Sequence, residues 1–156
     1  MSFQIHALPA ELFAPLFHLS DAELDARSMQ RQTVKSSPGT PCRVSMADAK
    51  VGETVILLNY AHQPADSPYR ASHAIFVREE AEHTQPEIGE VPEVISSRLI
   101  SVRLFDHAHM MVDADVVEGA QVAQALETAF ADAAIAYVHL HNAKPGCFAA
   151  SVTRAS

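Results

Sequence analysis

Apolar positions recur along this chain in three patterns, and each predicts a different element. Residues 54–60 (TVILLNY) and 73–78 (HAIFVR) are nearly continuous apolar runs of strand length, as expected of strands covered on both faces. Val122, Ala125, Leu126, Ala129, Phe130 and Ala133 return at helical spacing and predict an amphipathic helix over 118–131. Alternating segments at 101–105 and 110–117 predict two strands joined around Asp106-His107-Ala108-His109. A further strand, 137–142, turns at Lys144-Pro145-Gly146 and returns as a hairpin.

The weaker patterns complete the picture. Residues 3–8 read as an edge strand and 30–35 as another strand. Residues 11–17 form a short apolar helix disturbed by Pro15, which has no N–H to donate. Ser20 followed three residues later by Glu23 is a capping-box pattern opening a helix over 21–28. Residues 36–41 and 61–72, rich in Pro, Ser and Gly or punctuated by Pro64 and Pro68, are loops. Residues 79–93 hold six Glu and no Lys or Arg, an acidic connection ending in a helix that begins at Pro92. No repeat divides the chain. The expectation is a single domain over 1–156 of the α+β class, a mostly antiparallel mixed sheet with helices packed on one face. The two buried runs should be neighbouring central strands, with Val122, Leu126 and Phe130 covering the sheet.

Composition narrows the partners. With 48% apolar and 19% charged residues the chain lies far from the disordered class. The net charge of −8 comes entirely from the second half: residues 1–78 carry seven basic and seven acidic groups, and residues 79–156 carry four and twelve. Such a surface repels phosphate backbones and anionic lipids, so no nucleic-acid or membrane partner is expected. Two cysteines do not make a disulfide framework, and Met1 to Leu8 lacks the features of a signal peptide, which together predict a cytoplasmic location.

Chemically capable residues gather near the C-terminus. His139 and His141 are two apart on a strand, so they share a face with Tyr137. Two imidazoles can begin a metal site, but a third ligand is needed. A two-residue Pro145-Gly146 loop would pair Lys144 with Cys147 and His141 with Ala150, turning Cys147 to the opposite face. No cofactor is therefore expected, and a His139/His141 metalloprotein stands as an alternative. His107 and His109 with Asp113 loosely resemble cupin-type metal strands but lack the expected glutamate and glycines, so they read as a polar hairpin tip. Asp113 and Asp115 alternate with apolar neighbours as on any half-solvated strand.

Cys42 precedes Arg43, whose charge would favour a thiolate, and His73 or His141 would be the base that a nucleophilic cysteine needs. Cys42, His73 and His141 are thus the catalytic candidates. Tyr69 and Arg70, on a Pro-stiffened loop entering a buried strand, supply an aromatic wall and an anion fork. Arg43, Tyr69, Arg70 and Asn142 are the ligand-binding candidates.

In combination, Pro41-Cys42-Arg43-Val44-Ser45, Leu58-Asn59-Tyr60 with His62 and Pro64, Asp66-Ser67-Pro68-Tyr69-Arg70, Ile75-Phe76-Val77-Arg78-Glu79, Val112-Asp113-Ala114-Asp115-Val116-Val117 and His141-Asn142-Ala143-Lys144-Pro145-Gly146-Cys147 resemble a bacterial family. It is catalogued only as a domain of unknown function, and the likeness spans essentially the whole chain. The resemblance implies a single-domain bacterial protein and carries no reaction or site residue. From the residues themselves, the first expectation is a site for a small anionic molecule, binding or catalytic, where loops 36–43, 61–72 and 142–147 meet. The alternative is a non-enzymatic protein acting through self-association as a homodimer or through a protein partner.

Overall fold

A computed structural model of the chain describes residues 2–155. In chain order the strands are β1 (Phe3–His6), β2 (Gln30–Thr33), β3 (Pro41–Cys42), β4 (Ala47–Asp48), β5 (Thr54–Gln63), β6 (Ala71–Arg78), β7 (Leu99–Asp106), β8 (Met111–Glu118), β9 (Ile135–Asn142) and β10 (Phe148–Arg154). The helices are α1 (Asp21–Ala26), α2 (Glu93–Ser96) and α3 (Val122–Phe130). The α+β class and the mostly antiparallel pairing hold. The strands divide, however, between two five-stranded sheets, ordered β1-β10-β9-β7-β8 and β2-β5-β6-β3-β4. Among the described residues the only parallel contact is the short one between β3 and β6, at Cys42 and Phe76. The acidic connection carries the chain from one sheet to the other.

The two buried runs are central neighbours, as their composition demands: β5 pairs with β6 antiparallel, with Leu58 opposite Ile75 and Ile56 opposite Val77. Helix α3 buries Val122, Leu126, Ala129 and Phe130 against Val102, Val138, Leu140 and Val152 of the first sheet. A second core joins Ile56, Leu58, Ile75 and Val77 to Leu8, Phe13, Leu24 and Phe148. Phe148 belongs to a strand of the first sheet and packs into the core of the second.

Local chemistry explains the ends of several elements. Ser20 Oγ accepts from Glu23 N at 3.1 Å while Ser20 N donates to Glu23 Oε1 at 3.2 Å, the reciprocal cap expected for α1. The segment around Pro15 forms two 3₁₀ turns, Ala10–Leu12 and Ala14–His18, in place of one helix, because Pro15 interrupts the donor series. No helix among the described residues is long and apolar enough to cross a membrane.

Two boundaries need correction, and both bear on function. β5 does not stop at Tyr60 but continues through Ala61, His62 and Gln63, with a register shift between Tyr60 and Gln63. The final hairpin has four residues, 143–146, between the paired Asn142 and Cys147: Asn142 N donates to Cys147 O at 2.9 Å and Gly146 N to Asn142 O at 2.8 Å. His141 therefore faces Phe148, not Ala150, and a bulge before Ala150 restores pairing farther along. Proline and glycine at positions three and four of the wider turn close it without the splayed two-residue loop. The shift of two positions preserves the face, so Cys147 still lies on Asn142's side, away from the histidines.

Candidate metal centre

Strand alternation builds the site from both sheets. On β9, Tyr137, His139 and His141 point one way while Val138 and Leu140 enter the core under α3. On β5, Ile56, Leu58, Tyr60 and His62 share the other face of the interface. The junction is held by Gln63, whose Nε2 donates to Tyr137 Oη at 2.9 Å and whose Oε1 accepts from Ala65 N at 3.3 Å.

His62, His139 and His141 converge there. One ring nitrogen from each lies within 4.8 Å of the other two. Ring centroids stand 4.8 Å apart for His62 and His141 and 6.1 Å apart for His62 and His139. His139 and His141 are buried, His62 half-buried. Each has one nitrogen sealed from solvent with no protein partner: His62 Nδ1, His139 Nδ1 and His141 Nε2. An unpaired buried polar atom costs about 1–3 kcal/mol, so three together form a sizeable local deficit.

The neighbours fix the rings and their protonation. Phe148 stacks flat on His62, with centroids 5.3 Å apart and planes 5° from parallel, and meets both other rings edge-on. His141 Nδ1 lies 2.9 Å from Gly146 O. A carbonyl only accepts, so Nδ1 carries the proton and Nε2 keeps its lone pair, the arrangement that a metal-ligating histidine takes from its outer partner. Gly146 holds that carbonyl from a left-handed conformation, φ 80°, that suits glycine. Burial first, then the positive charge of Arg103, pushes His62 down to about 4. His139 is likewise held at about 4, by burial and then His62 and Arg103. His141 falls to about 3, burial outweighing the opposing pull of the Gly146 carbonyl. All three are neutral at pH 7, the form that ligates metal.

The geometry suits a transition-metal ion. A tetrahedral zinc about 2.0–2.1 Å from each nitrogen would space them roughly 3.3 Å apart, so the widest pair need close by only about 1.5 Å. Small rotations of the half-buried His62 can supply that. Three imidazoles leave at least one coordination position for a small molecule, as in catalytic zinc sites.

The other sequence candidates divide between one cavity and separate surroundings. Arg43 is 2% exposed, with its donors committed to Phe148 O at 2.8 Å, Pro41 O and Cys147 Sγ at 3.0 Å, so it ties the hairpin to the second sheet. Asn142 Nδ2 also reaches Cys147 Sγ at 3.5 Å. Cys42 and Cys147 are free and buried. Cys42 Sγ accepts from Arg78 N at 3.3 Å and Ser45 N at 3.5 Å, and neither His73 nor His141 is its hydrogen-bond partner among the described residues. Arg43, His73, Asn142 and Cys147 line one cavity of about 790 Å³. Arg70 and His141 are not in that lining; Arg70 is exposed and pairs with Asp66 at 3.6 Å. Tyr69 meets Phe105 edge-on at 6.3 Å, and Phe105 in turn stacks on Tyr137. His109, at the hairpin tip, reaches Tyr137 Oη at 2.8 Å.

The third histidine is hidden in the sequence. His139 and His141 stand out as a pair, while Pro64 and Pro68 make the segment that holds His62 read as a loop. One signal was present: Leu58, Tyr60 and His62 continue the two-residue alternation until Pro64, so extending the strand to Gln63 would have placed His62 on the buried face.

A sequence model of the family described as Protein of unknown function (DUF1203) matches residues 39–154. No curated protein and no solved structure matches the chain.

Proposed function

We propose that this chain, which belongs to the DUF1203 family, binds one divalent transition-metal ion, zinc foremost, through His62, His139 and His141. The observation that carries the reading is the convergence of three neutral imidazoles, each with a sealed and unpartnered nitrogen. An all-imidazole donor set suits zinc, iron, nickel or copper and is a poor match for calcium or magnesium, which prefer oxygen. A bound ion would act as a Lewis acid toward a molecule in its open position. His141 is oriented by Gly146, His62 by Phe148, and the wall formed by Tyr137 and Phe105 limits access on the side of His139. The anion site expected from Arg43, Tyr69 and Arg70 is the weaker reading, since Arg43 is occupied and Arg70 stands apart.

Untagged protein, purified without chelator, should carry close to one metal per chain by elemental analysis. Metal-free protein should bind zinc by calorimetry and melt higher when it does. His62→Ala, His139→Ala and His141→Ala should each abolish stoichiometric binding. Wild-type protein that holds no metal and whose melting zinc leaves unchanged would overturn the proposal. So would stoichiometric binding that survives all three substitutions.

A further inference from the structure

Arg103 stands beside this site with no carboxylate partner among the described residues. It lies on β7 directly opposite His139, with Ser101 opposite His141 in the same register. Directly opposed residues share a face of the sheet, so the guanidinium and the histidines occupy one side. Its only hydrogen-bond partner among the described residues is Ser101 Oγ, 3.2 Å from Nε. Arg31, Arg70, Arg78 and Arg98 each meet a carboxylate; Arg103 does not.

Strand alternation explains why it goes unpaired. Across β8, Arg103 faces Ala114 and Ser101 faces Val116, while Asp113 and Asp115 lie opposite Leu104 and Val102 and so project from the other face. Asp113 and Asp115 of β8 are thus turned away by the pleat. Arg103 and His62 are half-buried where His139 and His141 are buried, so solvent reaches the group from their side. With a divalent ion on three neutral rings, the ion and the guanidinium would form a concentrated positive region with no carboxylate paired to the guanidinium among the described residues.

Resting on the metal reading above, we infer that the ligand of this centre is a small carboxylate, one oxygen taking the open position on the metal and the carboxylate held by the Nη donors of Arg103. A guanidinium fork matches a planar carboxylate in two places. Phe105, stacked on Tyr137 with centroids 5.1 Å apart, gives the ligand's carbon end an apolar neighbour.

The test uses protein loaded with Co²⁺, whose visible absorption reports its coordination. Acetate and benzoate are titrated in, with acetamide and chloride as controls, against the wild type, Arg103→Gln and Arg103→Lys. The expected result is a saturable spectral change with the carboxylates only. Arg103→Gln should weaken it at least tenfold with cobalt stoichiometry and melting temperature preserved, and Arg103→Lys should restore part of the affinity. Cobalt that binds but does not respond to carboxylates overturns this inference and leaves the metal centre standing. Equal responses to chloride, or undiminished carboxylate affinity in Arg103→Gln, also overturn it. Failure to bind cobalt at all brings down both.

Discussion

Replacing Phe148 with alanine should damage stability and the proposed metal centre together, because one ring serves both. Phe148 is 2% exposed, fills the second core beside Leu8, Phe13, Leu58 and Ile75, and covers the face of His62 at 5.3 Å. Truncating a buried phenylalanine costs about 3–5 kcal/mol, the lost transfer energy plus the cavity left behind. With a urea dependence near 2 kcal/mol per molar, the unfolding midpoint should fall by roughly 1.5–2.5 M. Phe148→Leu, closer in volume, should lose less than about 1.5 kcal/mol. The second readout is zinc affinity, measured in folded protein. Without the stacked ring His62 is free to turn away, and loss of such outer support typically costs about 10–100-fold in affinity. Urea melts at matched protein concentration and a competitive chelator titration supply both numbers. A stability loss below about 1 kcal/mol would show that the ring is not the joint between the sheets. Unchanged zinc affinity in the alanine variant would show that His62 is positioned by something else.

Two further outcomes follow from the same site. In the metal-free protein the three histidines are held neutral well below their ordinary pKa of 6.5. The unfolded chain therefore takes up protons first, and stability should be intact above about pH 6.5 and fall as pH drops toward 3–4. At pH 5 the deficit should be about 2 kcal/mol for each of His139 and His141 and less for the half-open His62; urea midpoints at pH 7 and pH 5 measure it, and equal midpoints would refute it. Gly146→Ala should cost about 1–2 kcal/mol, because φ of 80° is strained for any residue with a Cβ. It should also weaken zinc binding by displacing the carbonyl that orients His141, and full retention of zinc affinity would assign Gly146 to the turn alone.

What could be read from the sequence was what depends on local periodicity. The apolar runs at 54–60 and 73–78 announced central strands, although cover on both faces is incomplete: Ile56, Leu58, Ile75 and Val77 enter the second core, while on the other face Leu57 and Phe76 are half-buried and Ala74 is exposed. Val122, Leu126 and Phe130 announced their helix face through spacing, and Ser20 with Glu23 announced a helix start through reciprocal capping. His139 and His141 were visibly on one face. Cys147 was visibly turned from them, and that survived a wrong register because a shift of two residues leaves the face unchanged.

Division of the strands between two sheets was not legible, since pairing partners far apart in sequence leave no mark on either segment. Nor was the third histidine of the cluster. His62 and His139 lie 77 positions apart, and what brings their rings together is Phe148 packing from one sheet into the core of the other. Arg103 could be recognised as a basic residue on a strand, but not as an unpaired one, because that depends on which face Asp113 and Asp115 take across the β7–β8 pair. The sequence by itself determined the longer strands, the helix faces and the two-histidine pair, all properties of neighbouring residues, while the two-residue strands β3 and β4 left no pattern to read. The three-imidazole centre and the lone guanidinium beside it were decided only by tertiary structure, because both depend on which strand edges meet across the interface of two sheets.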